Sequence, residues 1–258
     1  MSKDAKPLIS ILLPVFNNGY FLTDCLESIL HQTYKNIEII AIDDFSKDDS
    51  FKILQIYKRL DKRLRIYRNV KHYDKAITLN RALKRAKGHY IAFMDADDLM
   101  YRERLSQQVK FLQDNAKVVA IGTQCSFIDE HNKRLSKSEF PITNEHIYNK
   151  PLHGISIQFE TVTINKYLLP KDLLKFETKK KTFLYSDIFM KLLAFGELAN
   201  TPLPLQYHRK HSDKNPFTIL KELPTLVKLW AKSFDQWEYR PKIRSFVAAW
   251  IKPQITTQ

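Results

Sequence analysis

Apolar runs of strand length alternate with segments of helical period along the first half of the chain. The runs of strand length occupy residues 8–13, 37–42, 64–67, 90–94 and 118–127. Helical spacing of apolar residues covers 20–32, 75–86 and 102–115. Ser46 predicts the N-cap of a further helix that ends at Leu60. Strands that alternate with such helices predict βαβ units and an α/β fold, with a mostly parallel sheet covered by helices on both faces.

The alternation fades after about residue 130. A polar stretch at 129–138 and a less regular segment to 181 precede a predicted helix at 183–195 and an extended stretch at 203–211. Residues 216–251 predict two helices that are rich in Trp, Phe and Lys. We therefore divide the chain at 1–130, 131–212 and 213–258, with the first two parts as halves of one domain and the third as a C-terminal helical extension.

The composition is that of a basic globular protein. With 42 Lys and Arg against 28 Asp and Glu, the chain has a formal net charge of +14, and 44% of its residues are hydrophobic. This hydrophobic fraction excludes a disordered chain, and two cysteines without CxxC spacing exclude a disulfide scaffold. No apolar run approaches the ~18 residues of a membrane span, and no signal peptide is evident. We expect a cytoplasmic protein.

The positive charge suits a polyanionic neighbour, which can be a membrane surface, a phosphorylated ligand or a nucleic acid. Recognition of RNA favours a known module with aromatic side chains between the basic ones. No such module is recognisable here, so we expect no nucleic-acid partner. The basic cluster between Lys52 and Lys71 is interpreted as a solvated face.

Acidic side chains follow two of the predicted strands directly. Asp43 and Asp44 end one strand, and the segment Asp95-Ala96-Asp97-Asp98 ends another. Carboxylates so close together need a partner if they are buried, because unpaired buried charge is costly. Mg²⁺ takes one or two carboxylates together with the phosphate oxygens of a substrate. The alternative is that these acids only cap a helix that begins near Leu99.

Two segments resemble a known family. PLISILLPVFNNGYFLTDCLESILHQTYKNIEIIAIDD resembles the opening of the family 2 glycosyltransferases of GT-A fold, and AKGHYIAFMDADDLMYRERLSQQ resembles their DxD segment. The resemblance covers roughly residues 7–212 and is strongest over the first 110. It implies a Rossmann-like GT-A sheet and inverting, metal-dependent transfer of a sugar from a nucleotide diphosphate to an acceptor hydroxyl. It also implies that 1–130 bind the nucleotide-sugar and that 131–212 hold the acceptor and the catalytic base.

The resemblance implies roles for individual residues. Asp44 matches the acid at the uracil edge, Asp95 the residue near the ribose, and Asp97 the metal ligand. The full set of implied nucleotide-sugar-binding residues is Pro14, Phe16, Asn17, Asp44, Lys75, Asp95 and Ala96. Phe16 stands where Tyr is usual, and Phe45 replaces the common Gly of the DDGS segment.

The second half is expected to supply the chemistry. LYSDIFMKLLAFG resembles the acidic pair that opens a helix in the family, with Ser186 in place of the first acid and Asp187 retained. Deprotonation of the acceptor hydroxyl needs a carboxylate, and the resemblance makes Asp187 the expected general base. In YHRKHSD, His211 fits the position of a histidine that can approach the metal. The alternatives are a first-turn helix acid for Asp187 and a structural role for His211.

The resemblance implies a Mn²⁺- or Mg²⁺-dependent enzyme that uses a nucleotide-sugar, with a UDP-sugar as the expected donor. The implied acceptor is a glycan or a lipid-linked molecule of a bacterial surface polysaccharide, such as lipopolysaccharide or capsule. The QxxRW motif of processive synthases is absent, which favours addition of one sugar per encounter. The C-terminal helices are expected either to lie on the anionic inner face of the cell membrane or to cap the catalytic domain.

Two other functions remain open at this point. A sugar nucleotidyltransferase would favour a glycine-rich loop after the first strand, and PVFNNGY has a single glycine. A non-catalytic basic module that binds anionic membrane or nucleic acid would show salt-sensitive binding to polyanions without metal-dependent binding of UDP.

Overall fold

The computed structural model describes residues 6–150, 153–178, 183–210 and 217–240. Within them, nine strands form one sheet: β1 Ile9–Val15, β2 Ile37–Asp43, β3 Leu64–Arg68, β4 Tyr90–Phe93, β5 Leu99–Met100, β6 Val118–Ile128, β7 Arg134–Lys137, β8 Thr163–Asn165 and β9 Glu197–Arg209. The helices are α1 Gly19–Leu30, α2 Ser50–Leu60, α3 Lys75–Leu83, α4 Arg104–Asp114, α5 Asn144–Tyr148, α6 Leu184–Leu193 and α7 Phe217–Trp237. The predicted alternation of strands and helices is therefore present in the first half of the chain.

The strands follow the order β3-β2-β1-β4-β8-β6-β9-β5, and β7 pairs with β6. The first four are mutually parallel, as the βαβ pattern predicts. Beyond β4 the pairing is mixed: β8 runs antiparallel to both β4 and β6, whereas β6 and β9 are parallel. The second half of the sequence thus completes the sheet that the first half begins.

Helices cover both faces of the sheet. In β1, Ile9, Ile11 and Leu13 face a core formed with α1, α2 and α4, whereas Leu12 faces a second core formed with α3, α5 and α6. Both faces of this strand are buried, which explains why it reads as a continuous apolar run rather than an alternating one.

The loop after β2 differs from the prediction. Helix α2 begins at Ser50, so an N-cap at Ser46 is wrong. The Ser46 hydroxyl instead accepts a hydrogen bond from the backbone N–H of Asn17 at 3.0 Å. Asp48 likewise accepts from the N–H of Gly19 at 2.8 Å. Both polar side chains join the loops after β1 and β2, and Asp48 Oδ1 also accepts from the N–H of Ser50, the first residue of α2, at 3.0 Å.

Helix α7 packs against α6. Trp230 is 3% exposed and lies in a small core with Met190 of α6, Leu229 and Tyr239. This arrangement matches a helical cap for the part of the extension that is described, and the second predicted helix lies largely outside the described residues. None of the described helices combines the length and the apolar character that a membrane crossing needs.

A buried carboxylate joins the end of β4 to β9. Asp98 has no exposed surface, and it accepts hydrogen bonds from Gln206 Nε2 at 2.6 Å, His208 Nδ1 at 2.9 Å and the N–H of Arg209 at 2.8 Å. Arg209 Nε also donates to the carbonyl of Asp97 at 2.9 Å. These bonds hold the acidic segment after β4 in one conformation.

The same contact changes the titration of His208. Burial lowers the pKa of His208, but the charge and hydrogen bond of Asp98 outweigh it and raise the pKa to about 9. The charged imidazolium therefore stabilises the folded chain at neutral pH, because it neutralises a carboxylate that has no contact with water.

We predict that the free energy of unfolding falls as pH rises from about 6.5 to about 9. A histidine whose pKa is raised in the folded chain stabilises the fold fully when the pH is below its pKa in the unfolded chain. This stabilisation is lost as the pH rises through the pKa of the folded chain. The predicted loss is about 2–3 kcal/mol, from the size of the shift. Urea unfolding of wild type and of His208→Asn between these pH values measures it, and the variant should lose this pH dependence. His31→Asn, at an exposed histidine, is the control. Equal slopes for all three proteins would contradict the prediction.

Phe45 adopts the left-handed backbone conformation that the family pattern assigns to glycine. Its φ is +66°, in the turn that follows Asp43 and Asp44. The turn is retained although the glycine is not, and the N–H of Ser46 donates to Asp43 Oδ2 at 3.3 Å across it. A side chain with a Cβ is strained in this region by roughly 1–2 kcal/mol.

We predict that Phe45→Gly is more stable than Phe45→Ala by about 1 kcal/mol, because only glycine relieves the strain at positive φ. Chemical denaturation gives the free energy of unfolding of each variant. Both variants lack the phenyl ring, so its loss cancels in the difference. Lys58→Gly and Lys58→Ala, in the ordinary helix α2, are the matched pair and should show the opposite order. An Ala variant as stable as the Gly variant at position 45 would show that the turn is not strained.

Candidate active site

A cavity of about 260 Å³ opens at the carboxyl ends of β1, β2 and β4. Strand order changes direction between β1 and β4, and ligands of open α/β sheets bind at such a switch point. The cavity is lined by Pro14, Val15, Phe16, Asn18, Asp44, His72, Lys75, Thr78, Asp95, Ala96 and Asp97. The tertiary structure therefore brings together seven of the residues that the sequence singled out, six from three separate strand ends and Lys75 from the start of α3.

One end of the cavity combines aromatic rings with a carboxylate. The rings of Phe16 and His72 stack with their centroids 4.0 Å apart. His72 Nδ1 also lies 3.0 Å from Asp44 Oδ2, and Asp44 Oδ1 accepts from Asn69 Nδ2 at 2.6 Å and from the N–H of Tyr73 at 2.9 Å. A flat aromatic group could stack here while a polar edge meets the carboxylate. His72 was missed in the sequence, where a lone His among basic residues gives no signal.

The centre of the cavity holds an ion pair. Lys75, the first residue of α3, places its Nζ 2.7 Å from both carboxylate oxygens of Asp95. Burial raises the pKa of Asp95 to about 7, against the lowering effect of Lys75. An anionic ligand that enters the cavity can share the ammonium group of Lys75 with Asp95.

Asp97 is the expected metal ligand, and its half-buried carboxyl group lines the same cavity. Within the described parts of the chain no group of three or more His, Cys, Asp or Glu side chains could hold a metal ion. Mg²⁺ and Mn²⁺ accept one or two carboxylates when phosphate oxygens complete their coordination, so a hard oxygen donor at an open cavity fits such an ion. His211, the other expected ligand, lies outside the described residues.

Asn17 lies beside the cavity rather than in it. Its φ is +52°, and its Oδ1 accepts from the N–H of Lys47 at 2.9 Å. The side chain thus fastens the loop after β1 to the loop after β2, and the next residue, Asn18, lines the cavity instead. This position supports a role for Asn17 in shaping the cavity.

Asp187 is not among the residues that line the cavity. It is 3% exposed in the first turn of α6, with Lys191 Nζ at 2.5 Å and Lys232 Nζ of α7 at 3.9 Å. Two ammonium groups therefore face this carboxylate in the present conformation. One of them comes from the C-terminal extension, which the sequence did not connect with the expected general base.

A second buried carboxylate lies closer to the ion pair of the cavity. Glu160 is 4% exposed and accepts from Gln158 Nε2 at 2.7 Å, and it lies 3.0 Å from His153 Nε2. Burial raises the pKa of Glu160, but His153 and Lys75 outweigh it, so the pKa is well below its ordinary value. Glu160 is therefore a weak base. Sequence reasoning missed Glu160, because the irregular segment around it has no recognisable motif and the charge of Lys75 reaches it only in the folded chain.

Tyr185 lies near the ion pair of the cavity. Its ring stacks on Phe159 at 4.1 Å, and Lys75 Nζ lies 5.5 Å from its centroid. The tyrosine is thus both a packed residue and a neighbour of the cavity's central cation.

The comparisons with known proteins place this geometry in a family. The family model described as "Glycosyl transferase family 2" matches residues 10–170. TuaG of Bacillus subtilis, described as a putative teichuronic acid biosynthesis glycosyltransferase, is 34% identical over 111 residues, which cover 43% of this chain and 44% of TuaG. Across eight curated relatives the match spans 22–71% of the relative's own length, and less than half in six of them.

Solved structures share the fold. The S. aureus TarS fragment 1-349, in complex with UDP-GlcNAc, has a TM-score of 0.69 at 18% identity over 86% of this chain and 66% of that one. The mannosyltransferase PcManGT of Pyrobaculum calidifontis, in complex with GDP-Man and Mn²⁺, has a TM-score of 0.69 at 19% identity. The match covers 95% of this chain and 69% of PcManGT. The expected GT-A fold is confirmed. The family model matches more than half of this chain, so the chain belongs to glycosyl transferase family 2.

Proposed function

We propose that the protein transfers a single sugar, with inversion, from a UDP-sugar to a hydroxyl group of a glycan or lipid-linked acceptor, and that the transfer depends on a divalent metal ion. The acceptor would belong to a bacterial surface polysaccharide such as lipopolysaccharide or capsule. One observation carries the proposal: a stacking pair, a carboxylate, a lysine and a candidate metal ligand line a single cavity at the switch point of the sheet. Family membership supports glycosyl transfer over the two other functions considered above.

The nucleoside would occupy the end of the cavity at Phe16 and His72. Stacking on an aromatic face tolerates any base, so selection must come from the polar edge. Asp44 already accepts hydrogen bonds from Asn69 and from the N–H of Tyr73, and it lies 3.0 Å from His72 Nδ1, so its oxygens have limited remaining capacity. This favours a base with a single N–H at that edge, as uracil has. A panel of UDP- and GDP-sugars tests the choice.

The diphosphate would lie between Lys75 and Asp97. Lys75 would exchange part of its contact with Asp95 for a phosphate oxygen, and Asp97 would hold the metal ion. When bound, a divalent ion neutralises the charge that develops on the leaving diphosphate. The roles of this chain's own residues are to orient the diphosphate and to hold Asp95 near the ribose.

Asp187 remains the proposed general base. Glu160 is the other buried carboxylate near the ion pair, but its lowered pKa makes it a poor proton acceptor. For Asp187 to accept a proton, its contacts with Lys191 and Lys232 must be exchanged for a contact with the acceptor hydroxyl. The acceptor would therefore bind at the side of the site that α6 and α7 form.

We predict that Asp97→Ala abolishes the Mn²⁺-dependent part of UDP affinity, because the substitution removes the metal's carboxylate ligand. Isothermal titration with UDP, with and without Mn²⁺, measures this. Asp114→Ala is the matched control, since Asp114 is an exposed acid at the end of α4 and is paired only with Lys110 in the described structure. Unchanged Mn²⁺-dependent affinity in the Asp97 variant would reject the metal assignment, and no UDP binding by wild type would reject the donor class.

We predict that Asp187→Asn lowers kcat about 10²–10⁴-fold while UDP affinity stays nearly constant. The amide keeps the size of the side chain but cannot accept the proton. UDP release from the sugar donor that the panel selects gives kcat, and titration with UDP gives the affinity.

Glu160→Gln is the comparison for this experiment. We expect it to change kcat much less than Asp187→Asn, because Glu160 is held by His153 and Gln158. A larger loss of kcat in the Glu160 variant would move the base to Glu160. Near-normal turnover in both variants would leave Asp187 as a first-turn helix acid.

A further inference from the structure

The positive charge of the chain is concentrated on one edge of the molecule. Residues 52–87 contain 13 Lys or Arg and 2 Asp, a net charge of +11 out of +14 for the whole chain. They form α2, β3 and α3, and β3 is the outermost strand at this end of the sheet. The described residues place no further strand over it.

The solvent face of α2 combines basic and apolar side chains. Ile56 and Leu60 are 47% and 73% exposed, and they lie one turn apart on the same face of the helix. Lys52 and Arg59 are exposed on the same face, because 3.6 residues complete a turn. In the described parts of the chain, neither forms a salt bridge. We call these four residues the α2 face.

A groove of about 400 Å³ lies between α2 and β3, on the same edge of the molecule. It is lined by Lys58, Lys62, Leu64, Arg65, Ile66 and Tyr67. Arg65 is paired with Glu38 at 2.6 Å, whereas Lys58 and Lys62 have no carboxylate within ion-pair distance among the described residues. Two ammonium groups are therefore directed to whatever occupies the groove.

We propose that the α2 face and this groove dock the protein on an anionic phospholipid bilayer. Lys52, Arg59 and the groove lysines would meet headgroup phosphates, and Ile56 and Leu60 would enter the boundary between headgroups and acyl chains. A soluble polyanion would use the charges alone and gains nothing from two exposed aliphatic side chains. Their presence within the basic surface is what favours a bilayer.

The position of this surface is compatible with catalysis. The groove runs along β3 at the outer edge of the sheet, whereas the active-site cavity lies at the carboxyl ends of β1, β2 and β4, and the two share no lining residue. Docking through the α2 face would therefore leave the cavity open to the donor. The inference does not rest on the proposed donor or acceptor.

Sedimentation of the full chain with vesicles tests the proposal. Wild type should bind vesicles of phosphatidylglycerol and phosphatidylcholine, and not vesicles of phosphatidylcholine alone. Each basic residue near an anionic surface contributes roughly fivefold, so Lys52→Gln/Arg59→Gln should weaken binding roughly 25-fold. Lys117→Gln/Lys137→Gln removes the same charge from exposed positions elsewhere and should remain near wild type. Thermal unfolding verifies that every variant is folded.

A second pair of variants separates a bilayer from other partners. Ile56→Ser/Leu60→Ser keeps the charge, so it should lose vesicle binding and retain salt-dependent binding to heparin. Wild-type vesicle binding by this variant would show a general polyanion site and would overturn the proposal. Val227→Ser/Phe234→Ser alters the exposed apolar residues of α7. Loss of vesicle binding in that variant alone, or equal binding by the Lys52/Arg59 variant and its control, would also overturn it.

Discussion

The buried carboxylate of Asp98 is the interaction on which the site depends. A charge without access to water is tolerated only when hydrogen bonds and an opposite charge compensate it, and here Gln206, His208 and the N–H of Arg209 do so. All three donors lie on β9, the last described strand of the sheet. The chain must therefore fold back over about 110 residues before the acidic segment after β4 acquires its conformation.

This constraint also positions the two acids that face the cavity. Asp95 and Asp97 precede Asp98 on the same short segment, and Arg209 holds the carbonyl of Asp97. Asp98 turns inward and its neighbours are directed to the cavity. A segment with three acids thus separates into a structural carboxylate and two that can serve a ligand, and the difference lies in the partners that β9 supplies.

The charged groups of the proposed site are paired with one another. Lys75 is bound to Asp95, Asp187 to Lys191, and Glu160 is hydrogen-bonded by Gln158 and close to His153. Such pairs keep the free site from carrying uncompensated charge, and binding of an anionic ligand then proceeds by exchange of partners. The pairing of Asp187 with Lys232 extends this arrangement to α7, so the C-terminal extension takes part in the electrostatics of the proposed base.

The sequence by itself determined the first half of the fold and the residues at its strand ends. Continuous apolar runs such as 8–13 and 37–42 predict buried parallel strands, and acids that follow such runs must lie at one edge of the sheet. Only the tertiary structure decided the rest. The three-residue strand β8 is too short to show a period, yet it joins β4 to β6. Ser46 joins two loops, and Asp98 and His72 acquired their roles from residues distant in sequence. Local sequence patterns indicate secondary-structure propensity and burial. Hydrogen bonds and ion pairs between residues distant in sequence form only when the chain has folded.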